Sequence, residues 1–309
     1  MQENKEVCFI GLGKMGANMV DRIVSHGVDT VVWDISRNAI EEVLHTDAVP
    51  AWSLEEMVDL TTPPRIVWLM VPSDKPEPVD RTLKALKPLL SENDLVVDGG
   101  NSKYVHAQRR ADFLAERGIH FMDIGVSGGP SGARDGAALM IGGSNEDFAR
   151  IEFLAKILSS NDTYTHVGPV GAGHFVKMVH NGIEYGMMQA IAEGFGVLKA
   201  GPFDLDLVAV TRAYQENTVI ASRLVNWTFA GLQRDPSLAD ISSVIGHSGE
   251  GEWTLETGRQ LGLELPVIQA AFDRRVQSEG VSEESIDGFI NRIVNLQRHQ
   301  FGGHPVKKS

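Results

Sequence analysis

A glycine signature, Gly11-Leu12-Gly13-Lys14-Met15-Gly16, constrains the N-terminal part of this 309-residue chain more than any other feature. The apolar run from Val7 to Ile10 enters it directly and reads as a buried parallel strand. The residues that follow, to about Ser25, read as a helix. Gly11 permits the tight turn, Gly13 lets the backbone approach a pyrophosphate, and Gly16 allows close packing of helix on strand. Free N–H groups at the helix start attract the anion. A second strand, Thr30 to Trp33, ends in Asp34, roughly 20 residues downstream, where an acidic side chain binds a ribose 2′-hydroxyl. Strand, turn, helix and acid together predict a dinucleotide site built from residues 11–16 and Asp34.

Apolar and amphipathic runs then alternate. Strands are expected near 6–10, 29–34, 65–71, 94–98, 119–124, 137–142 and 163–167, with helical segments over 37–45, 75–90, 103–117 and 145–158. This is the pattern of an α/β, Rossmann-like domain with a doubly wound, mostly parallel sheet, assigned to residues 1–167. Ligands bind such sheets at the carboxyl ends of the strands. Val71 and its following proline, the turn Asp98-Gly-Gly-Asn-Ser102 and the run Gly125-Val-Ser-Gly-Gly129 all belong to that edge. Val71 and Asn101 are therefore cofactor candidates. The glycines would let backbone amides approach a ligand, while Asn101 and Ser127 supply side-chain hydrogen bonds. Each of these segments taken alone is equally readable as a structural turn.

Beyond residue 167 the pattern is helical, which predicts an all-α domain over 168–309. A long helix begins near Gly173 and runs to about Lys199, and others are expected near 204–214, 217–231, 238–247, 251–261, 265–278 and 282–297. Gly182, Gly186, Gly194 and Gly196 interrupt the long helix. Each costs roughly 1 kcal/mol relative to alanine, so close packing of a cofactor or another helix should compensate.

The segment Lys177 to Tyr185, KMVHNGIEY, sets Lys177, His180, Asn181 and Glu184 at i, i+3, i+4 and i+7, one face of a helix. Four different polar functions amid Met178, Val179 and Ile183 indicate a lined pocket, with lysine and glutamate as an acid/base pair. The plainer reading is a set of buried polar residues satisfied by their neighbours.

The formal net charge of −13 argues against nucleic acid or an acidic membrane as a partner. It does not argue against a small anion held by a few convergent cations. The lone cysteine, Cys8, lies inside the first strand. It excludes an intrachain disulfide and a cysteine metal site, and reads as a packed side chain. No run is long and apolar enough to span a bilayer, and residues 1–6 lack the character of a signal peptide, so a cytoplasmic location is expected.

GLGKMG, DGGNS, GVSGG and KMVHNGIEY, in this order and spacing, resemble the decarboxylating 6-phosphogluconate dehydrogenases of the β-hydroxyacid dehydrogenase superfamily. The likeness extends to Gly251-Glu-Trp-Thr254 and to the tail from Gln297 to His304, which resembles the QRxxFGxH signature of that family. Sister enzymes acting on 3-hydroxyisobutyrate normally carry asparagines where His180 and Glu184 stand.

The resemblance implies oxidation and decarboxylation of 6-phospho-D-gluconate to D-ribulose 5-phosphate without a metal. Lys177 would take the proton of the C3 hydroxyl and then, protonated, polarise the 3-keto group. Glu184 would protonate C1 of the five-carbon enediol left after carbon dioxide is lost. Asn101, Ser127, Gly128, Gly129, His180 and Asn181 match positions that hold the sugar acid. Tyr185, Thr254, Arg274 and Arg298 would grip the phosphate with His304 nearby. Arg298 and His304 would come from a partner subunit, and the choice of Arg274 depends on the alignment because Arg275 adjoins it. Glu252 stands where the family usually has a lysine.

Longer members follow the second strand with Asn-Arg-Thr, whose arginine takes the NADP 2′-phosphate, whereas this chain has Asp34-Ile35-Ser36. A short-chain, NAD-preferring type is expected, with NADP less favoured and Arg37 close enough to moderate the preference. The chain has one helical unit where longer members have two, which implies a homodimer or homotetramer whose tail docks on a neighbour. Two alternatives remain: a β-hydroxyacid dehydrogenase that does not decarboxylate, and an NAD(H)-binding redox sensor.

Overall fold

The computed structural model describes residues 6–247, 249–302 and 306. The chain divides into two compact units, residues 1–178 and 179–309, and the division falls inside a helix rather than at its start.

The first unit contains strands β1 (Glu6–Ile10), β2 (Asp29–Trp33), β3 (Val49–Pro50), β4 (Ile66–Leu69), β5 (Leu95–Asp98), β6 (His120–Ser127), β7 (Ala137–Gly142) and β8 (Ser159–Gly168). They form one sheet in the order β3-β2-β1-β4-β5-β6-β7-β8. Every pairing is parallel except β6 with β7. Strand order reverses between β1 and β4, which is where an open sheet of this kind binds ligands.

Among the described residues, seven α-helices accompany the sheet: α1 (Lys14–Ser25), α2 (Arg37–Glu42), α3 (Leu54–Asp59), α4 (Pro76–Leu86), α5 (Ala107–Ala115), α6 (Gly129–Asp135) and α7 (Asn145–Leu158). Because successive residues of a strand face opposite ways, Val7 and Phe9 enter a core with α1 and α7, while Cys8 and Ile10 enter another with α3, α4 and α5. Both faces are covered, which is why β1 reads as an unbroken apolar run. In α1, Gly16, Met19, Val20 and Ile23 are buried at helical spacing. Each of the three apolar side chains contributes roughly 2 kcal/mol by burial.

The short β3, α3 and α6 are not foreseen from the sequence, and β6 continues through Ser127 where a glycine loop was expected. Pairing with β7 along Gly125↔Met140, Val126↔Leu139 and Ser127↔Ala138 keeps that backbone extended.

Helix α8 (Ala172–Ala200) begins in the first unit and continues into the second. The second unit adds α9 (Leu207–Tyr214), α10 (Arg223–Arg234), α11 (Glu250–Gln260), α12 (Pro266–Val276) and α13 (Ile286–Gly302). Its core joins Met188, Ala192 and Phe195 of α8 to Leu224 and Leu232 of α10 and Phe289, Ile293 and Leu296 of α13. The glycines of α8 have the expected packing role at two places. A Cβ on Gly182 would lie 2.6 Å from Thr254 Cγ2, and one on Gly196 would lie 2.5 Å from Ile290 Cγ1.

The helix expected over 238–247 does not form. Asp235 accepts hydrogen bonds from the Ser237 and Ala239 amides and holds a turn. The Asn295 side chain of α13 then donates to the Ser242 and Val244 carbonyls, so these groups are satisfied without helical geometry.

Candidate active site

In the first unit, Gly11 has φ +96°, and a Cβ there would stand 2.5 Å from the Met70 carbonyl oxygen, so only glycine fits between β1 and the end of β4. A Cβ on Gly16 would collide with the Gly11 carbonyl oxygen at 1.9 Å. Gly13 faces open space and, with Lys14, is exposed at the start of α1. Leu12 is buried and Met15 packs against the core, which anchors the loop from behind. Asp34, just past β2, accepts from the Leu12 amide at 2.7 Å and from the Ser36 amide at 2.7 Å. Its carboxylate is thereby held beside the glycine turn. Open backbone at a helix start, with a fixed carboxylate close by, fits the phosphate and ribose ends of a dinucleotide.

Two further loops border this edge. Val71 is half-buried after β4, and a Cβ on Gly100 would meet the Ser73 side chain at 2.8 Å and the Val71 carbonyl at 3.2 Å. The turn carrying Asn101 therefore lies against the Val71 loop. It is fastened from behind: Asp98 accepts from Ser102 Oγ at 2.8 Å and from Arg110 Nη1 at 2.9 Å. Arg110 also donates to Asp80 at 2.9 Å. The sequence offered a signal for this network in Asp98, a carboxylate ending an apolar strand, since a buried charge must be paired.

Ser127 ends β6, and Gly128 and Gly129, with φ of +131° and +62°, lead into α6. Lys177 is buried, and α8 passes so close to β6 that a Cβ on Gly125 would stand 2.3 Å from the Lys177 Cβ. Asp123, fully buried in β6, accepts from the Gly171 amide at 2.5 Å and the His174 amide at 2.7 Å. It satisfies amides at the start of α8 that the helix itself cannot. Sequence reading passed over Asp123, although an acid inside the run Phe121 to Ile124 demands such a partner.

In the second unit, α8 is unbroken through His180, Asn181, Glu184 and Tyr185. His180 Nδ1 lies 3.0 Å from Asn181 Oδ1 and 3.8 Å from Glu184 Oε2. Tyr185 is buried, its ring pressed by α11, where a Cβ on Gly251 would stand 2.5 Å from Tyr185 Cε2. Thr254 of α11 is buried and donates to the Glu250 carbonyl at 2.9 Å. Glu252 on the same helix is exposed.

The two adjacent arginines of α12 part company. Arg274 donates to Asn291 Oδ1 and Asp287 Oδ1, each at 2.8 Å. Arg275 is buried with its guanidinium 3.3 Å from the Tyr185 ring centre. The structure thus sets Arg275, not Arg274, against Tyr185. Arg298 of α13 is buried within its own chain's second unit, where it donates to Asn295 at 3.0 Å and lies within electrostatic range of Tyr185. His304 lies outside the described residues.

The family model for the NAD binding domain of 6-phosphogluconate dehydrogenase matches residues 6–168, and that for the 6-phosphogluconate dehydrogenase C-terminal domain matches residues 173–287. This chain belongs to the 6-phosphogluconate dehydrogenase family. It is 36% identical over 301 residues, spanning 97% of both chains, to the NAD(+)-dependent, decarboxylating 6-phosphogluconate dehydrogenase of Haloferax volcanii. It is 36% identical to the decarboxylating 6-phosphogluconate dehydrogenase of Synechococcus elongatus, over 95% of this chain and 67% of that one. A Plasmodium falciparum 6-phosphogluconate dehydrogenase, solved alone, with its cofactor NADP+ and with its substrate 6-phosphogluconate, matches with a TM-score of 0.81 at 27% identity. The match covers 96% of this chain and 70% of that one. As a member of the 6-phosphogluconate dehydrogenase family, the chain is an oxidoreductase with a nicotinamide-cofactor domain. Among the described residues no helix is long and apolar enough to cross a membrane, and no three His, Cys, Asp or Glu side chains cluster as metal ligands would.

Proposed function

We propose that this chain oxidises and decarboxylates 6-phospho-D-gluconate to D-ribulose 5-phosphate and carbon dioxide, with NAD favoured over NADP. The observation that carries the reading is α8 itself, which brings a buried Lys177 against β6 and continues through His180, Asn181 and Glu184. A bound nicotinamide supplies the hydride acceptor. Lys177 takes the proton of the C3 hydroxyl as the hydride leaves C3. Once protonated, it donates to the 3-keto oxygen and draws the electrons released as C1 departs as carbon dioxide. Glu184 then delivers a proton to the carbon that lost the carboxylate. By resemblance to the family, His180, Asn181, Asn101, Ser127 and the Gly128 and Gly129 amides are the groups assigned to hydrogen-bond the sugar acid.

Asp34 supports the cofactor preference, because a carboxylate fixed beside the glycine turn accepts from a ribose 2′-hydroxyl and repels a 2′-phosphate. Arg37 lies over Trp52, 5.7 Å from its ring centre, which draws that charge toward the stack. The Haloferax relative carries NAD(+) in its name, whereas the Plasmodium enzyme was solved with NADP+. The working assembly is a homodimer or homotetramer, which light scattering of the purified chain measures directly.

The deciding experiment follows reduction of NAD and of NADP with 6-phosphogluconate while carbon dioxide is collected. Stoichiometric release with faster NAD reduction is expected. Reduction without release would transfer the chain to non-decarboxylating hydroxyacid chemistry, and cofactor binding without any reduction would leave a sensor.

A further inference from the structure

Each carboxylate oxygen of the buried Asp123 is taken by a backbone amide at the start of α8: Gly171 donates to Oδ1 and His174 to Oδ2. Among the described residues no side chain donates a hydrogen bond to this carboxylate. The His174 ring is buried with Nδ1 3.9 Å from Asp123 Oδ2, beyond hydrogen-bond reach, and neither ring nitrogen has a hydrogen-bond partner. The neighbouring strand shows the alternative, since Asp98, the register partner of Asp123 on β5, ties its carboxylate to the side chains of Ser102 and Arg110. Asp123 therefore acts on the helix backbone, where a carboxylate satisfies amides the helix cannot and meets the positive end of its dipole. The fit around it is tight. A Cβ on Gly142 of β7 would stand 2.5 Å from Asp123 Oδ1 and 2.6 Å from the Gly173 nitrogen, and one on Gly173 would stand 2.5 Å from the Met140 carbonyl oxygen. Lys177 follows His174 by three residues, and Gly125, the glycine that admits it, follows Asp123 by two.

We infer that Asp123 is a positioning residue for the oxidation step: it touches neither substrate nor cofactor, and fixes the first turn of α8 so that Lys177 meets the C3 hydroxyl in register. This rests on the reading given under Proposed function. Asp123 and Gly125 project from the same face of β6, because side chains alternate along a strand, so the anchor and the lysine contact lie about 7 Å apart. A lysine ends in a flexible four-carbon stem. Its amine is preorganised when the backbone that carries it is held at two places, here by hydrogen bonds at Gly171 and His174 and by the close approach at Gly125. With the first hold gone, the turn is free to swing about the second. Asparagine replaces one acceptor oxygen by a donating NH2 group and, in the same place, keeps one of the two amides, whereas alanine keeps neither.

The test uses the full chain with Asp123→Asn and Asp123→Ala. Single-turnover formation of reduced cofactor from 6-phosphogluconate, with chain and oxidised cofactor in excess, gives a rate constant for the hydride step and an amplitude for the fraction of competent sites. The rate constant should fall about tenfold or more in Asp123→Asn and further in Asp123→Ala, since misplacing a reacting group by about 1 Å costs up to about 100-fold. The NADH dissociation constant should stay at the parent value, and hydrogen exchange over residues 172–178 should quicken. Asp123→Asn, which conserves volume, decides the matter if Asp123→Ala does not fold. A lowered amplitude at the parent rate constant would mean that Asp123 supports folding alone, and would overturn the inference. So would a parent rate constant at full amplitude, and either result leaves the proposed reaction intact. A parent chain that forms no reduced cofactor from 6-phosphogluconate would bring down the reaction itself, and the inference with it.

Discussion

Gly125 lacks a side chain where Lys177 passes it, and a methyl group there would stand 2.3 Å from the Lys177 Cβ and 3.1 Å from the Gly173 carbonyl oxygen. Neither atom is the free end of a flexible chain, so α8 as a whole would have to move. Overpacking of this kind costs about 1–3 kcal/mol. Gly125→Ala should lower turnover at least about tenfold, since reacting groups tolerate little displacement. Cofactor affinity should stay near the parent value. Steady-state kinetics beside an equilibrium NADH titration checks this, and full turnover would mean that β6 does not set the lysine's position.

Lys177→Ala removes the proposed base while leaving the glycine turn untouched. Turnover should fall by roughly a hundred-fold or more, with the NADH dissociation constant unchanged. Substantial residual turnover would assign the proton transfer elsewhere.

Asp34→Ala deletes both the carboxylate proposed to face the ribose and the acceptor of the Leu12 amide. The NAD to NADP ratio of kcat/KM should fall by about tenfold or more, as expected for a charge-assisted hydrogen bond. An unchanged ratio would remove Asp34 from cofactor selection.

Arg110→Met removes the ion-pair partner of Asp98 and leaves Asp80 with Arg109 alone. Breaking a buried pair from one side costs about 3–5 kcal/mol, which urea unfolding would register. Asp80 adds a pH signature. Burial works to raise its carboxyl, but hydrogen bonds from Arg109 and Arg110 outweigh burial and hold it below its ordinary value of 3.8. A lowered folded value gives stability that is present above pH 3.8 and lost as pH falls below it. The parent chain should therefore lose stability more steeply in that acid range than the variant does.

Cys8 is buried in β1 with its thiol 3.4 Å from Thr61 Oγ1, and burial pushes it up from 9.0 to about 11. A raised folded value means the contribution is complete below pH 9.0 and lost as pH climbs toward 11, a span worth roughly 3 kcal/mol. Cys8→Ala should flatten the alkaline limb of the stability profile. The native thiol should also resist a disulfide reagent at neutral pH and react once the chain is denatured.

The elements legible in the sequence are those whose cause is local. β1, the turn at Gly11 and α1 follow from an apolar run, three glycines at fixed offsets and a 3.6-residue burial pattern. The helix bearing Lys177 and Glu184 was legible for the same reason, because i, i+3, i+4 and i+7 define a face before any packing is known. By contrast, residues 238–247 look helical by composition and are not, since the decisive hydrogen bonds come from Asn295, some fifty residues away in sequence.

Sequence by itself determined which residue types stand at the glycine turn and along the polar face of α8, because turn geometry and helical period are properties of neighbours in the chain. Only the tertiary structure decided that Asp123 holds the start of α8, that Gly125 admits Lys177, and that Arg275 rather than Arg274 lies on Tyr185. Two successive arginines are chemically identical in a sequence. Their roles separate when a helix turns one toward Asp287 and buries the other against the Tyr185 ring.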